Sequence, residues 1–382
     1  MNKKRIIILG VTGSIGRSTL SVLKNLSARG WDFEVTGMSC RSNTELLLSS
    51  AADFGVSNLA ATAPEKGIPE IKWTGEDAVL RLLKETECDI VVNGIAGSSG
   101  LEPSIKALEL GRDLALANKE TVVMAWPQAS KLADRNGSAI IPVDSEHSAL
   151  FHLLEGRDRE TLRRLIITAS GGAFRTTPLE DFPSLTLKDA LKHPTWDMGA
   201  KITVDSATMA NKGLEVIEAH RLFNMPPENI SVTIHPQSCV HSLVETIDGS
   251  LYAQVSAPDM CIPIQNALTY PETWESPFGK LSFEDLHLTF STPDYRRYPM
   301  LPLAYETIKT EGIMPIVYNA ANEAAVESFS RGEIPFTAIA EVVEAALNGN
   351  WTGSPENVEE IMEIHRTAEK RALAIVSRRK VT

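Results

Sequence analysis

The chain has 382 residues, 43% of them hydrophobic and 23% charged, long enough for two or three domains with sizeable cores and ordinary in balance for a globular protein in water. A formal net charge of -12 argues against a general nucleic-acid or anionic-membrane surface and leaves only local basic pockets for anions. No apolar run approaches the ~20 residues a membrane helix needs, and the apolar run after the basic start Met1-Asn2-Lys3-Lys4-Arg5 ends at Gly10, short of a secretory h-region.

The first half alternates strand and helix patterns. Residues 5–9 read as a short apolar strand running into Gly10-Val11-Thr12-Gly13-Ser14-Ile15-Gly16, with a helix expected through Leu26. A glycine-rich turn between strand and helix lets the backbone approach a pyrophosphate, while the helix N-terminus offers free N–H groups and the positive end of its dipole. The spacing is G-x-x-G-x-x-G, so the same residues also suit a tight turn that binds nothing. A second strand is expected over 33–39. At its end, where an NAD-binding domain places an acidic residue for the ribose 2'-hydroxyl, stand Cys40-Arg41-Ser42-Asn43. Taken alone Arg41 is as good a surface residue; joined to the glycine loop it favours a 2'-phosphate, hence NADPH over NADH.

Further units follow the same rhythm: a helix over 77–85, a strand over 89–93, a helix over 103–110, a strand over 113–117 and another from Ile140. The pattern predicts a parallel, doubly wound, Rossmann-like sheet. Asn118-Lys119-Glu120 and Asp144-Ser145-Glu146 both fall at carboxyl ends of strands, where open α/β sheets bind ligands. If strand geometry persists through Ser145, Asp144 and Glu146 project from one face into one small volume, and two anions there call for a cation. Oxygen-only donors suit a hard divalent ion, with a third carboxylate supplied from elsewhere. A solvated acidic turn capping the next helix and a solvated strand-end lysine at position 119 are the plain alternatives.

Beyond residue 150 the pattern changes. A strand over 165–168 leads into Ala169-Ser170-Gly171-Gly172, which forms either an anion-binding nest or a simple turn. Residues 192–199 carry large side chains between helix breakers, which suits a loop that folds over a ligand, although a lone histidine such as His193 is ordinarily structural in such a place. A helix is expected over 206–223, with Asp205 or Ser206 as N-cap and with Thr208, Asn211, Lys212 and Glu215 on one face. Such a stripe is usually solvated, yet Gly213 within it costs ~1 kcal/mol relative to Ala and makes sense where something packs closely. Asp248-Gly249 between two apolar runs signals a hairpin and makes this part α+β. His235 and His241 match no zinc spacing. Residues 270–300 read as a proline-rich connector. Helices are expected over 303–309, 315–329, 336–347 and 358–377, before a solvated basic end at Arg378-Arg379-Lys380. Cys40, Cys88, Cys239 and Cys261 lack any C-x-x-C spacing and fit a reducing, cytoplasmic setting. The expected division is 1–146, 147–269 (α+β), the connector 270–300, and a helical bundle over 301–382.

Together these motifs resemble the 1-deoxy-D-xylulose 5-phosphate reductoisomerases, NADPH-dependent enzymes of the non-mevalonate isoprenoid route. The resemblance covers nearly the whole chain and rests on residues 10–16, Ala117-Asn118-Lys119-Glu120, residues 142–149, 168–175, 193–201 and 205–215, His235-Pro236-Gln237-Ser238 and Asn319-Ala320-Ala321-Asn322-Glu323. Val11 stands where the family commonly has serine, and Cys40-Arg41-Ser42 varies on its usual 2'-phosphate segment. The resemblance implies a divalent metal (Mg2+, Mn2+ or Co2+) on Asp144, Glu146 and Glu215. It implies a phosphate on Ser170, Ser206, Asn211 and Lys212 with His193 closing nearby, and Ser145 and Lys119 against the reacting carbon skeleton. NADPH would meet Thr12, Gly13, Ser14, Ile15, Arg41, Asn118, Glu120 and Gly199. Lys119, Asp144, Glu146, His193 and Glu215 would carry the catalysis, and the resemblance implies a homodimer. The implied reaction rearranges a phosphorylated ketose, by cleavage and re-addition or by a 1,2-shift, and reduces the branched aldehyde to 2-C-methyl-D-erythritol 4-phosphate. A different NADPH-linked dehydrogenase would account for the glycine loop but not for three carboxylates beside a phosphate pocket. A non-catalytic NADPH sensor would have no use for a metal.

Overall fold

The computed structural model describes residues 3–196, 198–310 and 312–379; Met1, Asn2 and Lys380, named above, and Asp197 within the expected loop over 192–199, lie outside the described residues. Seven strands form the first sheet: β1 (Lys4–Leu9), β2 (Phe33–Cys40), β3 (Leu59–Ala61), β4 (Trp73–Thr74), β5 (Ile90–Asn93), β6 (Asp113–Leu116) and β7 (Ile140–Pro142). All neighbours run parallel, in the order β4-β3-β2-β1-β5-β6-β7. Ile6, Ile7, Ile8 and Leu9 are fully buried, as an unbroken apolar run must be in a strand covered on both faces. Burial of each such side chain contributes roughly 1.5–3 kcal/mol. The connections carry α1 (Ser14–Ala28), α2 (Thr44–Phe54), α3 (Ala78–Glu85), α4 (Leu101–Glu109) and α5 (Lys119–Asn136), and α6 (Ser145–Leu154) follows β7. Strand order reverses at β1, so the loop after it lies at the switch point where doubly wound sheets bind ligands. The Rossmann-like reading holds.

The second sheet is mixed. It comprises β8 (Leu162–Ala169), β9 (Ile230–Ile234), β10 (Val240–Thr246) and β11 (Leu251–Val255), in the order β11-β10-β8-β9. β9 runs parallel to β8, while β10 is antiparallel to β8 and to β11 through the expected hairpin at Asp248-Gly249. Between β8 and β9 lie α7 (Leu187–Ala190), α8 (Ala200–Thr208) and α9 (Ala210–Phe223). The single helix expected over 206–223 is therefore two helices. Met209 separates them in the left-handed region with φ 60°, and Thr208 Oγ1 accepts the Ala210 N–H at 3.1 Å. After the second sheet come α10 (Cys261–Thr269), which packs on α1, and then α11 (Met300–Thr310), α12 (Met314–Ser330), α13 (Ala338–Leu347) and α14 (Val358–Ser377). These last four match the helices expected from periodicity.

The chain divides into two compact units, one of residues 1–121, 127–151 and 259–281, the other of residues 122–126, 152–258 and 282–382. The exchange at 122–126 lies inside α5, where Ala125 leaves helical geometry (φ -135°) two residues before Pro127. The four cysteines are free and buried. Among the described residues no helix is long and apolar enough to cross a membrane.

Candidate active site

In the first unit the candidate residues line the carboxyl ends of β1, β2, β6 and β7. Gly10 has φ +74°, and Gly13 donates its N–H back to the Gly10 carbonyl at 3.0 Å, closing the turn before α1. A Cβ on Gly16 would lie 2.4 Å from the Val11 backbone, so the third glycine is needed for α1 to pack against the loop. Gly13 and Ser14 are exposed and Thr12 and Ile15 half-buried, which leaves the first N–H groups of α1 open to a ligand. Arg41 follows β2 and is exposed.

Asn118 caps α5, its Oδ1 accepting the Thr121 N–H at 3.0 Å while Nδ2 donates to the Ile95 and Gly97 carbonyls and to Glu120 Oε2. Glu120 Oε1 accepts the Gly97 N–H at 3.1 Å. Both residues are buried and tie the loop after β5 to α5. Between them Lys119 pairs with Asp144 at 2.9 Å, with side chains only 8% and 14% exposed. The strand does not persist through Ser145. Pro142 ends β7, having no N–H to continue the ladder, and the Asp144 carbonyl accepts the Ser148 N–H at 2.7 Å, so α6 begins there. Asp144 and Glu146 thus share the N-terminal turn of a helix instead of one strand face, where the dipole favours negative charge. Ser145 Oγ donates to Glu146 Oε2 at 2.6 Å.

The second unit gathers the remaining candidates around the ends of β8, α8 and α9. Gly171 and Gly172 have φ +89° and +67°, giving the nest its curvature, and a Cβ on Gly172 would lie 2.5 Å from the Ser206 carbonyl oxygen. His193 accepts the backbone N–H groups of Thr195 (3.2 Å) and Trp196 (2.9 Å) at Nδ1, which assigns the proton to Nε2. Nε2–H then donates to Ser170 Oγ at 3.0 Å, and the Gly172 N–H donates to the same oxygen at 3.2 Å. With its acceptor positions taken, the Ser170 hydroxyl is left as a donor. Burial, and then the nearby Arg175 guanidinium, hold the His193 imidazole neutral by lowering its pKa to about 4. The polar stripe of α9 is not solvated: Lys212 and Glu215 are buried and paired, and Asn211 donates to Glu215 as well. Gly213 packs closely, as its cost suggested, but against Tyr318 and Ala304 of the helical bundle.

Several residues that support the site were given no role by the sequence reading. Arg175 Nη1 donates to the Ser170 carbonyl at 2.7 Å, Tyr298 OH donates to the Gly171 carbonyl at 2.8 Å, and Arg297 holds the Phe174 and Thr177 carbonyls, so the nest is braced from beneath. Asp205 is fixed by Lys201 and Asn322, both at 2.8 Å. The signal for Asn322 was present: Asn319 and Asn322 flank Ala320 and Ala321 on a helix whose neighbouring positions are apolar, and amides there need buried partners. His235 donates from Nδ1 to the Thr289 carbonyl at 3.0 Å and accepts the Val240 N–H at Nε2, which ties the start of β10 to the 289–291 segment.

Three family models match the chain. The 1-deoxy-D-xylulose 5-phosphate reductoisomerase model covers residues 6–126, that enzyme's C-terminal domain covers 140–223, and the DXP reductoisomerase C-terminal domain covers 255–371. A 1-deoxy-D-xylulose 5-phosphate reductoisomerase of Treponema denticola is 44% identical over 98% of this chain and 97% of its own length, and one of Pelotomaculum thermopropionicum is 44% identical over 98% of each. Among solved structures, the Zymomonas mobilis enzyme in complex with NADPH matches with a TM-score of 0.88 at 37% identity, covering 98% of this chain and 99% of that one. A DOX-P reductoisomerase in complex with NADPH, fosmidomycin and magnesium matches with a TM-score of 0.90 at 34% identity over 98% of both chains. The motifs, the three models and the identity along the full length agree: the chain belongs to the 1-deoxy-D-xylulose 5-phosphate reductoisomerase family.

Proposed function

We propose that this chain is an NADPH- and divalent-metal-dependent enzyme that rearranges and reduces 1-deoxy-D-xylulose 5-phosphate to 2-C-methyl-D-erythritol 4-phosphate, in the non-mevalonate route to isoprenoid precursors. The observation that carries this reading is full-length kinship with reductoisomerases, joined to polar clusters made of the motif residues themselves. The decisive experiment follows NADPH oxidation with and without the ketose phosphate, the metal and a chelator. Oxidation that proceeds without either substrate or metal would overturn the reading.

Asp144, Glu146 and Glu215 are the proposed ligands. Three carboxylates offer only hard oxygen donors, which fits Mg2+, Mn2+ or Co2+. When bound, the metal polarises the substrate's vicinal oxygens and stabilises developing alkoxide charge, and NADPH supplies hydride. Ser170, Ser206, Asn211 and Lys212 hold the phosphate, the Ser170 proton being directed outward by the neutral His193. Lys119 and Ser145 contact the carbon skeleton. Thr12, Gly13, Ser14, Ile15, Arg41, Asn118, Glu120 and Gly199 form the NADPH site, and the loop around Trp196 and Met198 closes over the substrate to exclude water.

In functional terms the chain divides into a cofactor domain (1–146), a catalytic domain (147–269), a connector (270–300) and a helical domain (301–382). A homodimer is proposed on the outer face of the mixed sheet, where a groove of about 820 Å³ is lined by Ile166, Val232, Leu243, Leu251, Phe290 and Tyr295. Leu251, Phe290 and Tyr295 are 56%, 47% and 53% exposed, a patch that a second copy would cover. Four free thiols support a cytoplasmic setting.

A further inference from the structure

We propose that Asn322 and Tyr318, on one face of α12, are positioning residues that set the angle between α8 and α9 and thereby the geometry of the phosphate-holding side chains and of Glu215. This rests on the function proposed above. The candidate residues straddle a break in the backbone: Ser206 is on α8, Asn211, Lys212 and Glu215 are on α9, and Met209 stands between them in a left-handed conformation (φ 60°) that non-glycine residues rarely adopt. Such a conformation persists only where its surroundings fix it. α12 supplies that fixing on both sides of the break.

On the α8 side, Asn322 Nδ2 donates to Asp205 Oδ1 at 2.8 Å, 117 residues away in sequence, one residue before Ser206. Asn322 is wholly buried and Asp205 is 2% exposed. The second carboxylate oxygen of Asp205 accepts from Lys201 at 2.8 Å, so the residue beside Ser206 is held from two directions. On the α9 side, Tyr318 lies one turn back along the same face of α12. Its hydroxyl donates to the Met300 carbonyl at 3.1 Å and stands where a Cβ on Gly213 would be only 2.4 Å away, so it meets α9 between Lys212 and Glu215. α12 therefore grips each helix next to a candidate ligand.

The chemistry makes Asn322 specific. A buried carboxylate at Asp205 needs donors, and an amide at 322 supplies one where a carboxylate would repel. The test uses the full-length protein, with Asn322→Ala, Asn322→Ser, Asn322→Asp, Tyr318→Phe and the exchange Asp205→Asn with Asn322→Asp. For each, the KM for the ketose phosphate, the dissociation constants of inorganic phosphate and of NADPH by calorimetry, and the thermal midpoint are measured. Val376→Ala, in the buried face of α14, serves as a variant destabilised elsewhere in the bundle.

The Asn322→Ala variant should weaken ketose-phosphate and inorganic-phosphate binding by roughly ten- to a hundredfold, the range for a lost hydrogen bond to a buried charge, with NADPH binding retained. The Asn322→Asp change should be worse, and the exchange should recover much of the loss by reversing donor and acceptor. Tyr318→Phe should show the same split more mildly and covers the case in which the Asn322→Ala chain does not fold. Unchanged phosphate affinity in the Asn322 and Tyr318 variants, or an equal loss in Val376→Ala, overturns the proposal. If the parent protein binds inorganic phosphate but does not turn over the ketose phosphate, the functional reading fails while the phosphate measurements still decide the positioning role.

Discussion

Gly172→Ala tests whether the position of the nest governs substrate affinity. Gly172 has φ +67°, where alanine costs about 1 kcal/mol relative to glycine. Its added Cβ would stand 2.5 Å from the Ser206 carbonyl oxygen and 2.8 Å from the Ala207 Cα, both backbone atoms that have no rotamer to escape into. Restoring an ordinary contact of about 3.5 Å moves the nest or α8 by roughly 1 Å, and overpacking of this kind costs about 1–3 kcal/mol. The expected stability loss is therefore about 2–4 kcal/mol, read as a drop in the thermal midpoint. A 1 Å misplacement of binding groups costs on the order of a hundredfold in catalytic efficiency. Steady-state NADPH oxidation with varied ketose phosphate should show that loss largely in KM for the phosphate substrate, with KM for NADPH unchanged. Gly30→Ala is the control, since Gly30 shares the positive φ (+83°) but has no atom within 4 Å of its Cβ position. A Gly172→Ala enzyme with parental KM, or a Gly30→Ala enzyme with the same defect, would refute the reasoning.

Three further outcomes are expected. Arg41→Ala should raise the KM for NADPH more than that for NADH, because only the phosphorylated dinucleotide offers a 2'-phosphate to the guanidinium; an unchanged ratio removes Arg41 from the cofactor site. Glu215→Gln should lower turnover by roughly a hundredfold and weaken metal binding in a calorimetric titration, while NADPH binding survives; parental metal affinity would send the search for a third carboxylate elsewhere. His193 stays neutral when folded, its pKa lowered from 6.5 to about 4, so the unfolded chain takes up a proton that the folded one refuses. Its contribution to stability is present above pH 6.5 and declines as pH falls toward 4, and denaturant midpoints of His193→Gln should lose that part of the pH dependence; identical profiles for parent and variant would count against it.

Signals confined to a few consecutive residues were legible, and those that depend on distant partners were not. The Gly10 to Gly16 loop was readable because strand, glycines and helix follow one another in the chain, and the hairpin at Asp248-Gly249 for the same reason. The paired carboxylates Asp144 and Glu146 were found by type, but their geometry was misjudged: Pro142 stops the strand and the next helix starts at once. Periodicity likewise carried one helix through Met209, since nothing in the local sequence announces a left-handed methionine that packing imposes. The amphipathic stripe on α9 gave the right residues with the wrong surroundings in its plain reading, because a polar face looks the same whether it meets water or buried partners. Tyr298, Arg297 and Asn322 act from far along the chain, and only folding brings them to the nest or to Asp205.

The buried thiols have a practical consequence. Cys40 and Cys261 are pushed up to about 11 and 12 by burial, and Cys239 is also raised, so none presents a thiolate to solvent in the folded chain. A thiol reagent should then modify native protein only as fast as the backbone opens around each sulfur. Cys40, Cys88 and Cys261 belong to the first unit and Cys239 to the second, so peptide mapping of the labelling time course would give separate opening rates for the two units from one unmodified protein. NADPH should slow labelling of the first three, and inorganic phosphate should slow that of Cys239, which gives a ligand-binding readout needing neither turnover nor an engineered probe.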